Sequence, residues 1–269
     1  MAKMTTAIID AAKAGDKDAL HALVVAVQDQ VHRLAMRMLA DPQLAQDATQ
    51  EILIRVITKL SQFEGQSRFE TWVYRVATNY LLTARKVIAR DPGLTFAMFS
   101  EDLIDGLVDE TAAAPEDHVM LNELRITCTM AMLLCLDAKH RASYVLGDIL
   151  ECDHAEGAEI LEITTANFRK RLSRARTLVQ DFTARSCGLA NTSAKCHCPR
   201  RLPAAMSMRR LGECPSKMLQ DAPDYATVKV AAQALETQLS TLKLQQSVGG
   251  LKAPKHIAQE VVDLVTIHP

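Results

Sequence analysis

Residues 154–176 read HAEGAEILEITTANFRKRLSRAR, and they predict two short helices that meet at a tight turn. Apolar residues recur every three or four positions on the second helix, at Phe168, Leu172 and Ala175. Thr164 or Thr165 can cap that helix, because a threonine hydroxyl accepts a hydrogen bond from a free backbone N–H. The stretch therefore predicts a helix-turn-helix.

The face of the second helix opposite this apolar stripe is strongly basic. A solvated basic helix is the alternative explanation, but the turn, the cap and the clustered arginines occur together and favour contact with nucleic acid. A helix-turn-helix places its second helix in the major groove while the other face packs on its domain. The predicted contact residues are Thr165, Asn167, Arg169, Lys170, Arg171, Arg174 and Arg176.

Composition favours an all-α protein of two small domains or one large one. Glycine is sparse, with 10 in 269 residues, and strand-like alternation is nearly absent. The longest apolar runs, such as residues 22–27, are too short to span a bilayer, and we expect no export signal. The seven cysteines then predict reduced thiols or metal ligands in a cytoplasmic protein.

Charge is segregated along a chain whose net charge is only −1. Residues 99–123 carry eight acidic residues and no Lys or Arg, whereas residues 164–210 carry eleven basic residues and one acid, Asp181. Affinity for DNA scales with the number of phosphates neutralised, so an almost neutral chain is not expected to bind DNA tightly alone. A basic module in such a chain suggests a partner that supplies further contacts.

Helical periodicity and helix-breaking residues divide the rest of the chain. Asp41-Pro42 predicts the end of one helix and the start of the next, with Asp41 as cap. Residues 91–118 have the Pro, Gly and acidic composition of a linker, and the segment after Phe182 appears irregular. The predicted helices span residues 16–39, 42–60, 69–90, 119–136, 139–150, 225–246 and 258–267.

Two segments together resemble a known family. Residues 44–56 read LAQDATQEILIRV and residues 69–79 read FETWVYRVATN. With the helix-turn-helix that follows, they resemble regions 2 and 4 of bacterial sigma-70 family sigma factors of the extracytoplasmic-function (ECF) group. The resemblance covers about residues 10–183. It implies a domain plan of region 2 at 1–90, a flexible acidic linker at 91–118 and region 4 at 119–183. Residues 184–269 lie outside this plan as a partly helical, Cys-containing extension, which we expect to be regulatory.

The resemblance implies a dissociable subunit of RNA polymerase that directs promoter recognition and DNA melting. Such a protein is not an enzyme and requires no cofactor. The family's region 2 binds the coiled coil of the β′ subunit and opens the −10 element; its region 4 binds the −35 element and the flap of the β subunit. An anti-sigma factor would be a further partner. The alternatives are a stand-alone helix-turn-helix regulator and a thiol- or metal-dependent enzyme built on the tail, which no nucleophile–base arrangement supports.

The resemblance also assigns residues of region 2. One outer helical face offers charged and amide groups for the polymerase, at Asp47, Gln50, Glu51 and Arg55. Asn79 matches a position that lines a pocket for an unstacked base. Trp72 is either part of that pocket or a core residue. The predicted −10 contacts are Arg68, Trp72, Arg75, Asn79, Arg85 and Lys86.

Four positions depart from the family pattern. Thr83 replaces an acid that usually follows the asparagine, and Leu136-Asp137 replaces a common Leu-Pro. Gly157 occupies a usual Ile or Val position. Glu162 takes a turn position that is usually Gly, a residue that tolerates positive φ.

The cysteines of the tail leave their chemistry open. Zinc prefers four N or S ligands in a tetrahedron, which Cys187, Cys196, Cys198 and Cys214 can supply, with His197 as a substitute for one. The Cys-x-Cys spacing is tighter than in usual zinc knuckles, so unliganded thiols and a redox pair are alternatives.

Overall fold

The chain is organised into two compact units. The computed structural model describes residues 6–89, 91–108, 117–211, 222–249 and 251–267. The first unit contains residues 1–90, 152–168 and 252–269, and the second contains residues 91–151 and 169–251. These units cut across the segments expected from sequence, because residues 152–168 and the last helix of the tail group with residues 1–90.

Most of the described residues are helical, and the single β-type pairing among them is an isolated backbone bridge between Cys187 and Cys196. In chain order the α-helices are α1 (Thr6–Lys13), α2 (Lys17–Leu39), α3 (Pro42–Thr58), α4 (Phe69–Thr83), α5 (Arg85–Ile88), α6 (Phe96–Ile104), α7 (His118–Leu134), α8 (Ala138–Tyr144), α9 (His154–Ile160), α10 (Thr165–Ser186), α11 (Cys198–Ser207), α12 (Tyr225–Gln233), α13 (Thr237–Gln246) and α14 (Ile257–Ile267). A π-helical turn, Val145–Ile149, follows α8. Within the described residues, no helix is both long and apolar enough to cross a membrane.

Helix α2 is the centre of the first unit. It begins where Asp16 accepts a hydrogen bond from the Ala19 N–H, and it ends at Ala40, whose φ of 51° is left-handed. Helices α1, α3, α4 and α14 all pack against it. Asp41 caps α3 by accepting from the Leu44 N–H at 2.7 Å, as the Asp-Pro pair predicted.

The expected single helix from Phe69 to Arg90 is wrong, because α4 ends at Thr83. Ala84 is extended, with φ −67° and ψ 122°, and the short α5 follows it. The Thr83 hydroxyl donates to the Asn79 carbonyl at 2.6 Å, one turn back. Such a side-chain bond offers that carbonyl a second donor and favours bending or ending of a helix.

The segment expected to be a flexible acidic linker, residues 91–118, contains a helix, because residues 96–104 form α6. Thr95 caps this helix by accepting from the Met98 N–H. Phe99 is buried in the second unit, where its ring stacks on Phe182 at a centroid distance of 5.4 Å. The Pro, Gly and acidic residues around α6 obscured this short apolar pattern in the sequence. Residues 109–116 lie outside the described part of the linker.

The tail is more regular than its sequence indicated. Residues 198–207, expected to be irregular, form α11, with Pro199 in its first turn, where proline is tolerated. The expected helix over 225–246 is interrupted after Gln233, which separates α12 from α13. Helices α11, α12 and α13 pack on α7 in the second unit, whereas α14 packs on α2 and α3 in the first. Each amphipathic tail helix thus has a partner, as an isolated helix of this length requires.

Buried arginines stabilise the second unit. Arg125 is 1% exposed and donates to Asn122 on its own helix and to the hydroxyl of Ser247 after α13. Burial lowers the pKa of Arg125 to about 10, so it stays charged at neutral pH. Because a buried charge is tolerated only with hydrogen-bond partners, these contacts attach the tail to α7 specifically.

The helix-turn-helix explains the unexpected Gly157. Asp153 caps α9, and Thr164 caps α10 by accepting from the Asn167 N–H at 3.2 Å. The ring of Phe168, which is fully buried, lies over Gly157. A Cβ atom at position 157 would overlap this ring. The large Phe168 and the small Gly157 therefore fill together a space that the family usually fills with an aliphatic residue on the first helix.

We expect Gly157→Val to destabilise this packing. Overpacking in a close-packed core costs about 1–3 kcal/mol, although Val is a better helix former than Gly. Urea unfolding should show a lower free energy of unfolding for this variant. Ala155→Val, at an exposed position of the same helix, is the matched control. Equal losses in both variants would contradict the packing argument.

We also expect a pH effect from His32 of α2. Its Nδ1 lies 3.0 Å from the Thr49 hydroxyl, and burial lowers its pKa from 6.5 to about 4, although Asp29 opposes the shift. The unfolded chain therefore takes up a proton first as the pH falls. The stability present above pH 6.5 is lost as the pH falls towards 4, by about 2 kcal/mol at pH 5.

Urea unfolding at pH 7.5 and pH 5 tests this expectation. His32→Gln retains a polar side chain but cannot titrate, so it should be less stable than the parent at pH 7.5 and show a shallower pH dependence. The same pH dependence in parent and variant would rule out His32 as its source.

Candidate nucleic-acid interface

The basic residues of α10 lie opposite its buried face, as the sequence predicted. Phe168, Leu172, Ala175 and Val179 are buried. Arg169, Lys170 and Arg174 are exposed, as is Asn167 in the first turn, whereas Arg171 and Thr165 are half-buried. Free cationic groups on one side of a helix that is anchored on the other side are suited to contact phosphates and base edges.

Arg176 differs from its basic neighbours. Its Nε and Nη2 donate to the two carboxylate oxygens of Asp148, at 2.9 Å and 2.6 Å. Asp148 lies in the π-helical turn and its side chain is 9% exposed. The predicted DNA contact at Arg176 stays a prediction; in this conformation its guanidinium joins α10 to the π-helical turn of the same unit.

A polar cavity of about 370 Å³ lies beside α4 in the first unit. Asn79 is exposed at this cavity and Arg75 is half-buried there. The Arg55 guanidinium lies 5.0 Å from the centre of the Tyr80 ring, in cation–π geometry. The cavity is lined by Arg55, Lys59, Gln62, Trp72, Arg75, Val76, Asn79, Tyr80, Thr83 and Glu162. It combines amide, hydroxyl and cationic groups, the types that can hold a base and a phosphate.

Trp72 is mainly a core residue, one of the two roles that its sequence context left open. It is 5% exposed, and its ring stacks on Phe69 at 5.8 Å and tilts against Phe63 at 5.5 Å. Its side chain still forms part of the cavity wall. Trp72 therefore shapes the cavity but does not offer an open stacking surface.

Among the remaining predicted −10 contacts, the structure describes the side chain of Arg68 but not those of Arg85 and Lys86. Arg68, at the start of α4, has a largely exposed side chain that pairs with Glu156 of α9. Hydrogen bonding to Glu156 raises the pKa of Arg68, so this group is cationic throughout the neutral range. Arg85 and Lys86 lie on α5, and their side chains are outside the described part of the structure.

The predicted polymerase-binding residues form a stripe on α3. Asp47, Glu51 and Arg55 are spaced by four residues and so follow one side of the helix. Asp47, Gln50 and Glu51 are half-buried, and Asp47 accepts a hydrogen bond from Gln43 at 3.2 Å. The tail helix α14 packs on α2 and α3 beside this stripe, where Gln46 and His256 lie 3.2 Å apart through their Nε2 atoms.

Cys187, Cys196 and Cys198 are half-buried residues of the second unit with free thiols. The backbones of Cys187 and Cys196 pair in an isolated β-bridge, not in a disulfide, and the Gly188 N–H donates to the Cys196 carbonyl at 2.8 Å. Burial raises the pKa of Cys196 to about 12 and raises those of Cys187 and Cys198 as well. Neutral buried thiols are poor nucleophiles, which disfavours the redox alternative.

The zinc prediction stays a prediction. Over the described ranges, no group of three or more His, Cys, Asp or Glu side chains is placed to hold a metal ion. Cys187, Cys196 and Cys198 therefore do not fit zinc by themselves, and Cys214 lies outside the described residues. Cys128 belongs to the surrounding apolar core, as its helical pattern predicted.

Comparison with known proteins agrees with this arrangement. Residues 23–90 match the family model for sigma-70 region 2, and residues 126–179 match that for sigma-70 region 4. The ECF RNA polymerase sigma factor SigW of Bacillus subtilis is 34% identical over 176 residues, which are 61% of this chain and 88% of SigW. The RNA polymerase sigma-H factor of Pseudomonas aeruginosa is 27% identical over 179 residues, which are 64% of this chain and 90% of that protein.

The ECF RNA polymerase sigma-E factor of Escherichia coli is 27% identical over 65% of this chain and 91% of its own length. Nearly all of each relative is thus matched, while about a third of this chain lies beyond the match. A stand-alone helix-turn-helix regulator would not match region 2, so that alternative is excluded. The chain belongs to the extracytoplasmic-function group of the sigma-70 family of RNA polymerase sigma factors.

Proposed function

We propose that the protein acts through three surfaces: the stripe on α3 for core RNA polymerase, the α4 cavity for the −10 element, and α10 for the −35 element. As a sigma factor it directs core RNA polymerase to specific promoters and promotes DNA melting there. The observation that carries the assignment of surfaces is the polar cavity around Asn79, because it lies on the helix that resembles the family's −10 reader.

The α3 stripe is suited to a charged partner helix. Asp47 and Glu51 are carboxylates one turn apart, and Arg55 follows after another turn. Complementary charges steer association and set its register. The resemblance to region 2 supports the coiled coil of the β′ subunit as the partner helix of this stripe.

The α4 cavity can hold an unstacked base after melting. An amide such as that of Asn79 donates to and accepts from a base edge, while Arg75 can neutralise a neighbouring phosphate. Arg68 and the α5 residues Arg85 and Lys86 would extend this cationic surface along the strand.

The α10 surface would enter the major groove at the −35 element. Asn167, Arg169 and Arg174 are exposed, and an arginine that reaches a guanine donates two hydrogen bonds to its O6 and N7. Region 4 would also touch the β flap. The catalysis of RNA synthesis then belongs to the polymerase, so we infer a cytoplasmic, non-enzymatic factor that requires no cofactor and that an anti-sigma factor can regulate.

Charge reversal on the α3 stripe tests polymerase binding. Asp47→Lys with Glu51→Lys should leave the helical content intact and weaken binding to core polymerase by about 2–5 kcal/mol, as for close interface charge pairs. Competition for core enzyme against a labelled sigma factor measures this loss. Glu64→Lys with Glu236→Lys changes the same number of exposed charges elsewhere and should have little effect. Undiminished binding by the stripe variant would refute the role of α3.

Alanine substitutions on α10 test the −35 assignment. Arg169→Ala, Lys170→Ala, Arg171→Ala and Arg174→Ala are each made and assayed with holoenzyme on promoter fragments. A base contact should lose about 1–3 kcal/mol and relax specificity at one position, whereas a phosphate contact should weaken binding to all sequences alike. Arg176→Ala should instead lower stability, because it leaves Asp148 unpaired. Full −35-dependent binding by all four variants would mean that α10 is not the reader.

A further inference from the structure

The tail is fixed in the second unit just after α13, by a buried arginine of region 4. Arg125 of α7 donates through Nη1 to the Ser247 hydroxyl at 2.8 Å and through Nη2 to the Ser247 carbonyl at 3.3 Å. Arg125 is 1% exposed, and the next residue of the tail, Val248, is completely buried. Release of Ser247 would leave a buried guanidinium without two of its acceptors, so this position is a firm anchor on region 4.

A second anchor fixes the tail in the first unit only about six residues later. The Ala253 N–H donates to the carboxylate of Asp29 on α2 at 3.0 Å. Helix α14 follows, and it packs on α2 and α3 with four buried residues, Ile257, Ala258, Val261 and Val262. Because α2 and α3 lie in region 2, the tail is attached to both DNA-binding modules.

The chain from Ser247 to Ala253, here called the strap, joins these two anchors. About six residues of fully extended chain reach about 20 Å. The acidic linker is the longer connection, because the roughly 30 residues between α5 and α7 reach about 100 Å when drawn out. Helix α9 also packs on α4, but a covalent strap restrains region 4 even after that contact opens. The family model for region 4 ends at residue 179, so the strap is an addition to the family plan.

We propose that the strap limits how far region 4 can move from region 2 and thereby determines which spacing between the −10 and −35 elements this factor accepts. The proposal rests on the assignment of α4 to the −10 element and of α10 to the −35 element. The two elements lie about 25 base pairs apart, which is roughly 85 Å of B-DNA at about 3.4 Å per base pair. A compact module of about 100 residues is roughly 35 Å across. A strap of about 20 Å between two such modules leaves almost no slack.

A longer spacer has to be accommodated by the strap or by its anchors. Once the strap is straight, further separation requires Ala253 to leave Asp29 and α14 to expose its apolar face, and both changes cost free energy. A shorter spacer only slackens the strap. The strap thus penalises long spacers alone, whereas the rotation of the DNA helix affects spacers that are longer or shorter by the same amount alike.

Lengthening the strap tests the proposal without removing any contact. An insertion of about 15 Gly and Ser residues between Gly249 and Gly250 adds roughly 20 Å of average reach. A promoter is first selected from random duplex fragments with the parent holoenzyme, and its spacer is then made two base pairs longer or shorter. Run-off transcription gives the ratio of product from the long spacer to product from the short one. We expect the insertion to raise this ratio about tenfold, which corresponds to about 1.4 kcal/mol.

The same insertion between Ala14 and Gly15 is the matched control. These residues form an exposed turn between two helices of the first unit, so the insertion does not lengthen the strap and should leave the ratio unchanged.

A substitution in α14 provides a second test if the strap insertion fails to fold. Val261→Asp places a charge on the buried side of α14 and should release this helix, so it should raise the same ratio. Leu264→Asp introduces the same charge on the same helix at a side chain that is 46% exposed, and it should behave like the parent.

Promoter selection by the parent, together with an unchanged ratio in the strap insertion and in Val261→Asp, would overturn the strap alone. An equal rise in the control variants would overturn it as well, because those variants leave the strap and its anchors intact. A parent that binds core polymerase but selects no promoter would refute the assigned function, and the strap with it.

Discussion

The apolar stripe of α2 is the constraint on which the first unit depends. Four other helices pack on this one helix, and its Leu23, Val24, Val31 and Leu34 are completely buried. Burial of such a side chain is worth about 1.5–3 kcal/mol relative to its exposure. Because α3 and α4 both bury one face against α2, the stripe on α3 and the polar cavity beside α4 lie on sides of these helices that α2 does not cover.

The segregated charges of the chain meet inside it. Asp102, in the acidic stretch, accepts from Arg201 and Arg210, which belong to the basic stretch. Arg201 is 2% exposed and also donates to the Asp105 carbonyl. Because Arg201 is buried, loss of Asp102 would leave a buried charge without one of its acceptors, so these contacts attach α6 to α11 and to the residues that follow it. Part of the basic tail is thus neutralised by the linker, whereas Arg169, Lys170 and Arg174 of α10 stay exposed.

Sequence patterns predicted the features that depend on residues close together in the chain and missed those that depend on residues far apart. The start of α3, the turn after α9 and the buried side of α10 depend on neighbours within a few residues, so caps and apolar periods predicted them. Helix α6 was missed because its two buried positions, Phe99 and Leu103, stand between helix breakers. The pairing of Arg176 with Asp148 was missed because the partner is 28 residues away.

The sequence by itself determined the helical class, the order of the two DNA-binding modules and the residue types on each outer face. These properties arise from local periodicity, capping and charge. Only the tertiary structure decided what covers those faces. Arg68 and Glu156 are 88 residues apart, and Asp29 and Ala253, which join the tail to α2, are 224 apart. Contacts at such separations depend on the complementary shape and charge of the packed helices, and no local pattern encodes them.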